Sequence, residues 1–141
     1  MSARGRLLLD TGPLVAILDR RDRWHAACVA AVAGFTGRCV TTEAVVTEAC
    51  HLLSHVSSGA VSCLGFLLRT GTEIVPMTEP RLHRVTALMT KYADLPMDYA
   101  DATLVAAAEA LGLREVFTLD RRGFSVYRAL DREPFVILPS D

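Results

Sequence analysis

The chain has 141 residues, about one domain's length, and 51% of it is hydrophobic, enough to bury a core. Its formal net charge is −1, which excludes a global field that gathers nucleic acid or membrane; any such partner has to be held locally. No stretch reaches the ~18 uninterrupted apolar residues of a membrane span.

The first element is Arg6-Leu7-Leu8-Leu9, a short apolar run that reads as a buried strand. Arg4 and Arg6 ahead of it give a faint likeness to a signal peptide. Asp10 and Pro13 break the run and no A-x-A site follows, so the expected location is the cytoplasm. Asp10 stands where the strand stops and a helix over Leu14–Leu18 starts; Pro13 suits a first helical turn. Asp19–Arg23 is a charged break, Trp24–Val32 a second helix, and Gly34 and Gly37 close it. Cys39-Val40-Thr41 predicts a strand, with Thr42 capping a third helix from Glu43 to about Val56. A fourth helix over Ala60–Leu68, a strand over Glu73–Pro76 and a fifth helix over Glu79–Tyr92 follow. The sixth helix runs from Tyr99 to Leu111 and stops at Gly112. Strands over Glu115–Leu119 and Pro134–Leu138 flank a loop or short helix over Arg121–Tyr127. Alternation of short apolar strands with helices predicts one α/β domain over residues 1–141, its parallel sheet covered on both faces.

In such a sheet, ligands bind at the carboxyl ends of the strands. Asp10 and Asp120 both follow strands there, either as helix caps or as members of a site. Asp98 and Asp101 open the sixth helix. Together they nearly copy a capping box, although aspartate is a short residue to reach back from Asp101. Glu48 borders the apolar stripe of the third helix, whereas Glu43 sits in its first turn and favours the helix dipole. If Asp10, Glu48, Asp101 and Asp120 converge within roughly 6 Å, each pair repels by about 3 kcal/mol at an effective dielectric near 20. Protonation or a divalent cation has to relieve that. An all-oxygen set suits Mg²⁺ or Mn²⁺ rather than Zn²⁺. A metal-bound water there is placed to attack a phosphodiester. The rival set is Glu48, His51 and His55 on one helical face as a Zn²⁺ site, with exposed helix histidines as the plainer account. Cys28, Cys39, Cys50 and Cys63 have no C-x-x-C spacing and read as buried free thiols. Lys91 is the only lysine; the arginines reflect either phosphate contacts or codon bias.

Four segments in order carry a resemblance: Leu7-Leu8-Leu9-Asp10-Thr11-Gly12-Pro13-Leu14, Thr42-Glu43-Ala44-Val45-Val46-Thr47-Glu48, Met97-Asp98-Tyr99-Ala100-Asp101-Ala102-Thr103-Leu104 and Phe117-Thr118-Leu119-Asp120-Arg121-Arg122. Together they resemble PIN-domain ribonucleases, more narrowly the VapC toxins of toxin–antitoxin pairs, over nearly the whole length. The resemblance implies a PIN-like three-layer fold with a five-stranded parallel sheet, and Mg²⁺- or Mn²⁺-dependent endonuclease activity on RNA. It places an acidic quartet on Asp10, Glu48, Asp101 and Asp120, with Asp98 as a further acidic residue beside the metal. Thr11 and Thr118 match hydroxyls that orient the carboxylates. It also implies a homodimer and a protein antitoxin that blocks the site. Arg20, Arg21, Arg23, Arg121 and Arg122 flank the strand-end aspartates, either holding the RNA backbone or standing as solvated loop charges. The alternatives are a housekeeping PIN nuclease in RNA processing and a catalytically silent acidic-pocket binding module. A phosphoacceptor receiver domain fits poorly, because it needs a strand-end lysine late in the chain.

Overall fold

Leu7, Leu8 and Leu9 are buried because their strand is the middle of a sheet and has neighbours on both sides. The computed structural model describes residues 5–140; Arg4, part of the signal-like N-terminus, lies outside the described residues. In chain order, β1 (Arg6–Leu9) leads into α1 (Thr11–Leu18) and α2 (His25–Ala33). Next come β2 (Arg38–Thr42), α3 (Glu43–Leu52), α4 (Gly59–Thr70), β3 (Glu73–Val75), α5 (Glu79–Lys91) and α6 (Tyr99–Leu111). The chain ends through β4 (Glu115–Phe117), α7 (Arg121–Phe124), β5 (Arg128–Ala129), β6 (Glu133–Pro134) and β7 (Val136–Leu138).

Five strands form one parallel sheet in the order β3-β2-β1-β4-β7, with Leu8 opposite both Val40 and Val116. From β1 the chain steps to β2 and β3 on one side, then crosses back to β4 and β7 on the other. Right-handed crossovers therefore put α1–α4 on one face and α5 and α6 on the other. The direction reverses between β1 and β4, so the crevice of this sheet opens at the carboxyl ends of those two strands. Asp10 and Asp120 follow those two ends.

Helix α6 lies against the sheet because its middle is small: Ala102, Thr103, Ala106, Ala107 and Ala108 are buried beside Leu104 and Val105. At its N-terminal end Thr103 donates to the Ala100 carbonyl (2.7 Å) and pairs with the Thr42 hydroxyl at the end of β2 (2.8 Å). Thr41 in turn donates to the Leu9 carbonyl (2.8 Å). This buried ladder of hydroxyls ties α6, β2 and β1 together one residue from Asp10.

Three expectations change. The third helix stops at Leu52, not near Val56, because the chain enters consecutive tight turns: Ser54 N–H to the His51 carbonyl (3.1 Å) and Val56 N–H to the Leu53 carbonyl (3.0 Å). The last strand is split at Phe135, which turns inward and packs edge-on to Phe124 at 5.5 Å. What precedes it pairs with β5 as a two-stranded antiparallel ribbon, and only Val136–Leu138 joins the sheet. Asp101 does reach back, so the capping box closes: Asp101 N–H donates to Asp98 Oδ1 (2.8 Å) and Asp98 N–H to Asp101 Oδ2 (3.3 Å). The four cysteines are free thiols, all but the half-buried Cys50 in the core. Among the described residues no helix is long and apolar enough to cross a membrane.

Candidate active site

Asp10 directly follows the central strand and is 6% exposed. Its Oδ1 accepts the Thr11 N–H (2.8 Å), which caps α1, and its Oδ2 accepts the hydroxyl of wholly buried Thr118 (2.6 Å). The Thr118 oxygen also accepts the Asp120 N–H (2.9 Å), so one hydroxyl joins the two strand-end aspartates. Asp120 caps α7 through the Gly123 N–H (3.1 Å). That turn requires glycine: a Cβ on residue 123 would stand 2.5 Å from Asp120 Oδ2 and 2.9 Å from Tyr127 Oη.

Asp101 comes from the other face of the sheet, half-buried on the first turn of α6. The Tyr127 hydroxyl donates to its Oδ2 at 3.3 Å. Tyr127 is 1% exposed and wedged edge-on between Tyr92 and Phe124, with ring centroids 5.1 Å away in each case. Sequence reasoning missed this residue, because its role depends on a contact across 26 positions and no motif carries it.

The electrostatics show that the aspartates share one pocket. Burial pushes the Asp10 carboxyl up to about 6, against the hydrogen bonds from Thr118 and Thr11 and with further pressure from Asp120 and Asp98. Asp101 is raised to about 7, again by burial first, then by repulsion from Asp10, Asp98 and Asp120. Tyr127 is pushed up by burial first, then by Asp101, Asp120 and Asp98.

The donor chemistry fits a hard divalent cation: oxygen atoms only, an excess of negative charge, and the buried Thr11 hydroxyl, which has no hydrogen-bond partner among the described residues. The carboxylates are turned toward protein donors, and among the described residues no three acidic, histidine or cysteine side chains close on one point. Glu48 is half-buried on α3 and lines a hollow of about 480 Å³ with Thr47, His51, Asp98 and Tyr99. It therefore flanks the pocket on the Asp98 side. Glu43 is exposed in the first turn of α3. The Zn²⁺ alternative is not assembled, because α3 ends before His55, whose Nε2 is bound to Asp19 Oδ2 at 3.1 Å. The flanking arginines are dispersed. Arg23 lies over the Trp24 ring (4.9 Å to its centroid), Arg121 donates to the Pro139 carbonyl (2.9 Å), and Arg122 is exposed on α7 beside it. Arg20 and Arg21 line a separate hollow at the end of α1.

A parallel sheet whose strand order reverses between two aspartate-bearing strands, with a third aspartate delivered by the facing helix, defines a class of small acidic-pocket α/β domains. The chain belongs to the PIN domain family, whose model matches residues 7–130. It is 28% identical over 135 residues to ribonuclease VapC26 of Mycobacterium tuberculosis, covering 94% of this chain and 100% of that one. Solved structures share the fold. VapC20 of M. tuberculosis, a toxin that cleaves the sarcin–ricin loop, superposes with a TM-score of 0.75 at 18% identity, over 82% of this chain and 90% of that one. VapBC2 of Rickettsia felis, solved with a DNA fragment from its promoter, gives 0.67 at 14% identity, over 97% and 100%. A toxin–antitoxin complex from Klebsiella pneumoniae gives 0.61 at 18% identity, over 85% and 91%.

Proposed function

We propose that the chain is a metal-dependent endoribonuclease and the toxin of a toxin–antitoxin pair, acting in the cytoplasm. The observation that carries the first half is the buried cluster of mutually repelling carboxylates at the reversal point of the sheet, with the buried Thr11 hydroxyl next to Asp10 lacking a hydrogen-bond partner among the described residues. The ribonuclease name of the curated relative supports the substrate. Asp10, Asp101 and Asp120, with Asp98 beside them, would hold Mg²⁺ or Mn²⁺, and Glu48 would ligate it or orient the attacking water. When bound, the cation would supply charge neutralisation and an activated water for attack on a phosphodiester. The protein's own part is positional. Thr118 holds the Asp10 and Asp120 side of the pocket in register, and Tyr127 and the Asp98 N–H hold Asp101.

Two observations support an antitoxin. The toxin–antitoxin complexes share this fold. Helix α4 presents an uncovered apolar stripe of Val61, Leu64 and Leu68, the last 83% exposed, as surfaces made for a partner do. A small reading frame next to the gene, encoding a DNA-binding protein that co-purifies with the chain, is the expected arrangement; a homodimer is expected as well.

The direct test is to incubate the purified protein with total RNA, with and without Mn²⁺, beside the Asp10→Asn and Asp101→Asn variants. Cleavage should need the cation and fall more than about a hundredfold in either variant with the circular dichroism spectrum unchanged. Full activity in either variant rejects the site.

A further inference from the structure

The pocket just described repels the phosphates it has to receive, and a net charge of −1 offers no general attraction. Cationic groups elsewhere on the path have to hold the strand. Most arginines are committed to protein acceptors. Arg84 is bound to Glu109, Arg114 to Glu133, Arg38 to the Gly71 carbonyl, Arg81 to that of Pro76, and Arg128 to that of Ser125. The guanidiniums of Arg20 and Arg21 are exposed and have no hydrogen-bond acceptor among the described residues.

They stand at a hollow of about 390 Å³, within the size range of small-ligand sites, whose other walls include Leu18, His55 and Val56. Asp19 sits in the same hollow, but its carboxylate is engaged by His55 Nε2 (3.1 Å) and by the Arg21 N–H (3.0 Å). That pairing fixes the imidazole at the wall beside the two guanidiniums. Leu18 and Val56, both half-buried, supply an apolar surface. Two cations, an imidazole and an apolar wall match the two halves of a nucleotide, its phosphate and the face of its base.

The placement ties this hollow to the acidic pocket. Helix α1 starts at Asp10 and its eight residues rise about 12 Å before Asp19. The hollow of Glu48, His51 and Tyr99 is lined by Asp98 of the acidic pocket as well, and Tyr99 is 44% exposed there. Helix α3 and the turn after it wall both hollows, through Glu48 and His51 in one and His55 in the other.

We propose that the Arg20–Arg21–His55 hollow is a distal nucleotide subsite, holding one phosphodiester and an unstacked base of an unpaired RNA strand whose scissile bond lies at the aspartates. This rests on the ribonuclease reading and adds to it where the strand is gripped. The strand runs along α3, and recognition at this point requires an unpaired segment, because a stacked duplex cannot turn a base into the hollow.

The test uses an unpaired RNA of about twelve nucleotides spanning a cleavage site mapped in total RNA, long enough to contact both ends of the path and several phosphates. The double variant Arg20→Gln/Arg21→Gln should raise KM about tenfold and make the salt dependence of binding shallower by about 0.7 in log–log slope, the share of one phosphate on a single strand, with kcat and the melting temperature unchanged. A control pair, Arg69→Gln/Arg132→Gln, removes the same charge from exposed positions elsewhere and should leave KM alone. Unchanged KM and salt slope in the first pair, or an equal rise in the control, overturns the subsite. Failure of the unmodified protein to cut any RNA with a divalent cation is a different result and overturns the nuclease reading itself.

Discussion

The two ends of α6 solve the same problem in opposite ways. Near its C-terminus Glu109 is almost buried, its side chain 8% exposed, and is gripped by Arg84 through two bonds of 2.8 Å and by the Leu130 N–H at 2.6 Å. Arg84 and Lys91 also share Asp131, at 3.0 Å each, so the ribbon of β5 and β6 is clamped to α5 and α6. Every charge there has an opposite, and the pairing holds Asp131 below the usual carboxylate range and raises Arg84. At the N-terminus of the same helix Asp101 meets three further carboxylates and is raised instead. The difference teaches where stability is made and where it is given up: one end is closed by protein cations, whereas at the other like charges face one another.

The comparison can be broken most forcefully at the closed end. Glu109→Ala leaves the Arg84 guanidinium without its main partner and should cost about 3 kcal/mol, a fall of about 10 °C in melting temperature. Cleavage per folded molecule below that temperature should be unchanged. A loss of activity at full folding would mean that the brace positions Asp101, so that the two ends do not work separately.

At the open end the effect runs with pH. The Asp10 carboxyl titrates near 6 when folded and near 3.8 when unfolded, so the folded chain holds the proton more tightly. Its contribution to stability is complete below 3.8 and is lost as pH rises through 6. In chelator, stability relative to Asp10→Asn should therefore fall by about 2.4 kcal/mol between pH 4 and pH 7, at 1.36 kcal/mol per pKa unit. Saturating Mn²⁺ should restore a similar amount at neutral pH, about 2.7 kcal/mol at a hundredfold excess over Kd. Melting curves of both proteins across that range decide the matter; a difference that stays flat with pH means that Asp10 carries no such strain.

The smallest expected effect sharpens the comparison. Tyr127→Phe removes the one side-chain hydroxyl that supports Asp101 and keeps the ring packed on Tyr92 and Phe124. Cleavage should drop by about tenfold or less, with the melting temperature nearly unchanged. A loss as large as that of Asp101→Asn would make Tyr127 more than a positioning residue.

Much of the fold was legible because local chemistry marks it. Three leucines running into Asp10, and a β-rich run into Asp120, announce strand ends, and Gly112 announces the end of α6 with its positive φ of 69°. The Asp98–Asp101 spacing placed both residues at a helix start for reasons of capping alone. The ribbon was not legible, since two-residue strands carry no period. Nor was the end of α3, where Val56 continues the apolar spacing but the backbone has already turned. The pairing of His55 with Asp19, which dissolves the alternative zinc set, joins residues 36 positions apart and leaves no local trace. In the pocket, the four aspartates were foreseeable as types and positions. Glu48 was expected among them and instead lines the adjoining hollow with Asp98.

The hydroxyl of Thr118 serves Asp10 with its hydrogen and the backbone of Asp120 with its lone pair. Two acidic residues 110 positions apart thus hang from a single hinge pin, and a rotation about one bond disturbs both together. Valine in its place, equal in shape but lacking that atom, would unhook the pair at one stroke. Serine would keep the atom but let it swing, so the methyl group that stiffens threonine belongs as much to the link between the two strand ends as the oxygen does.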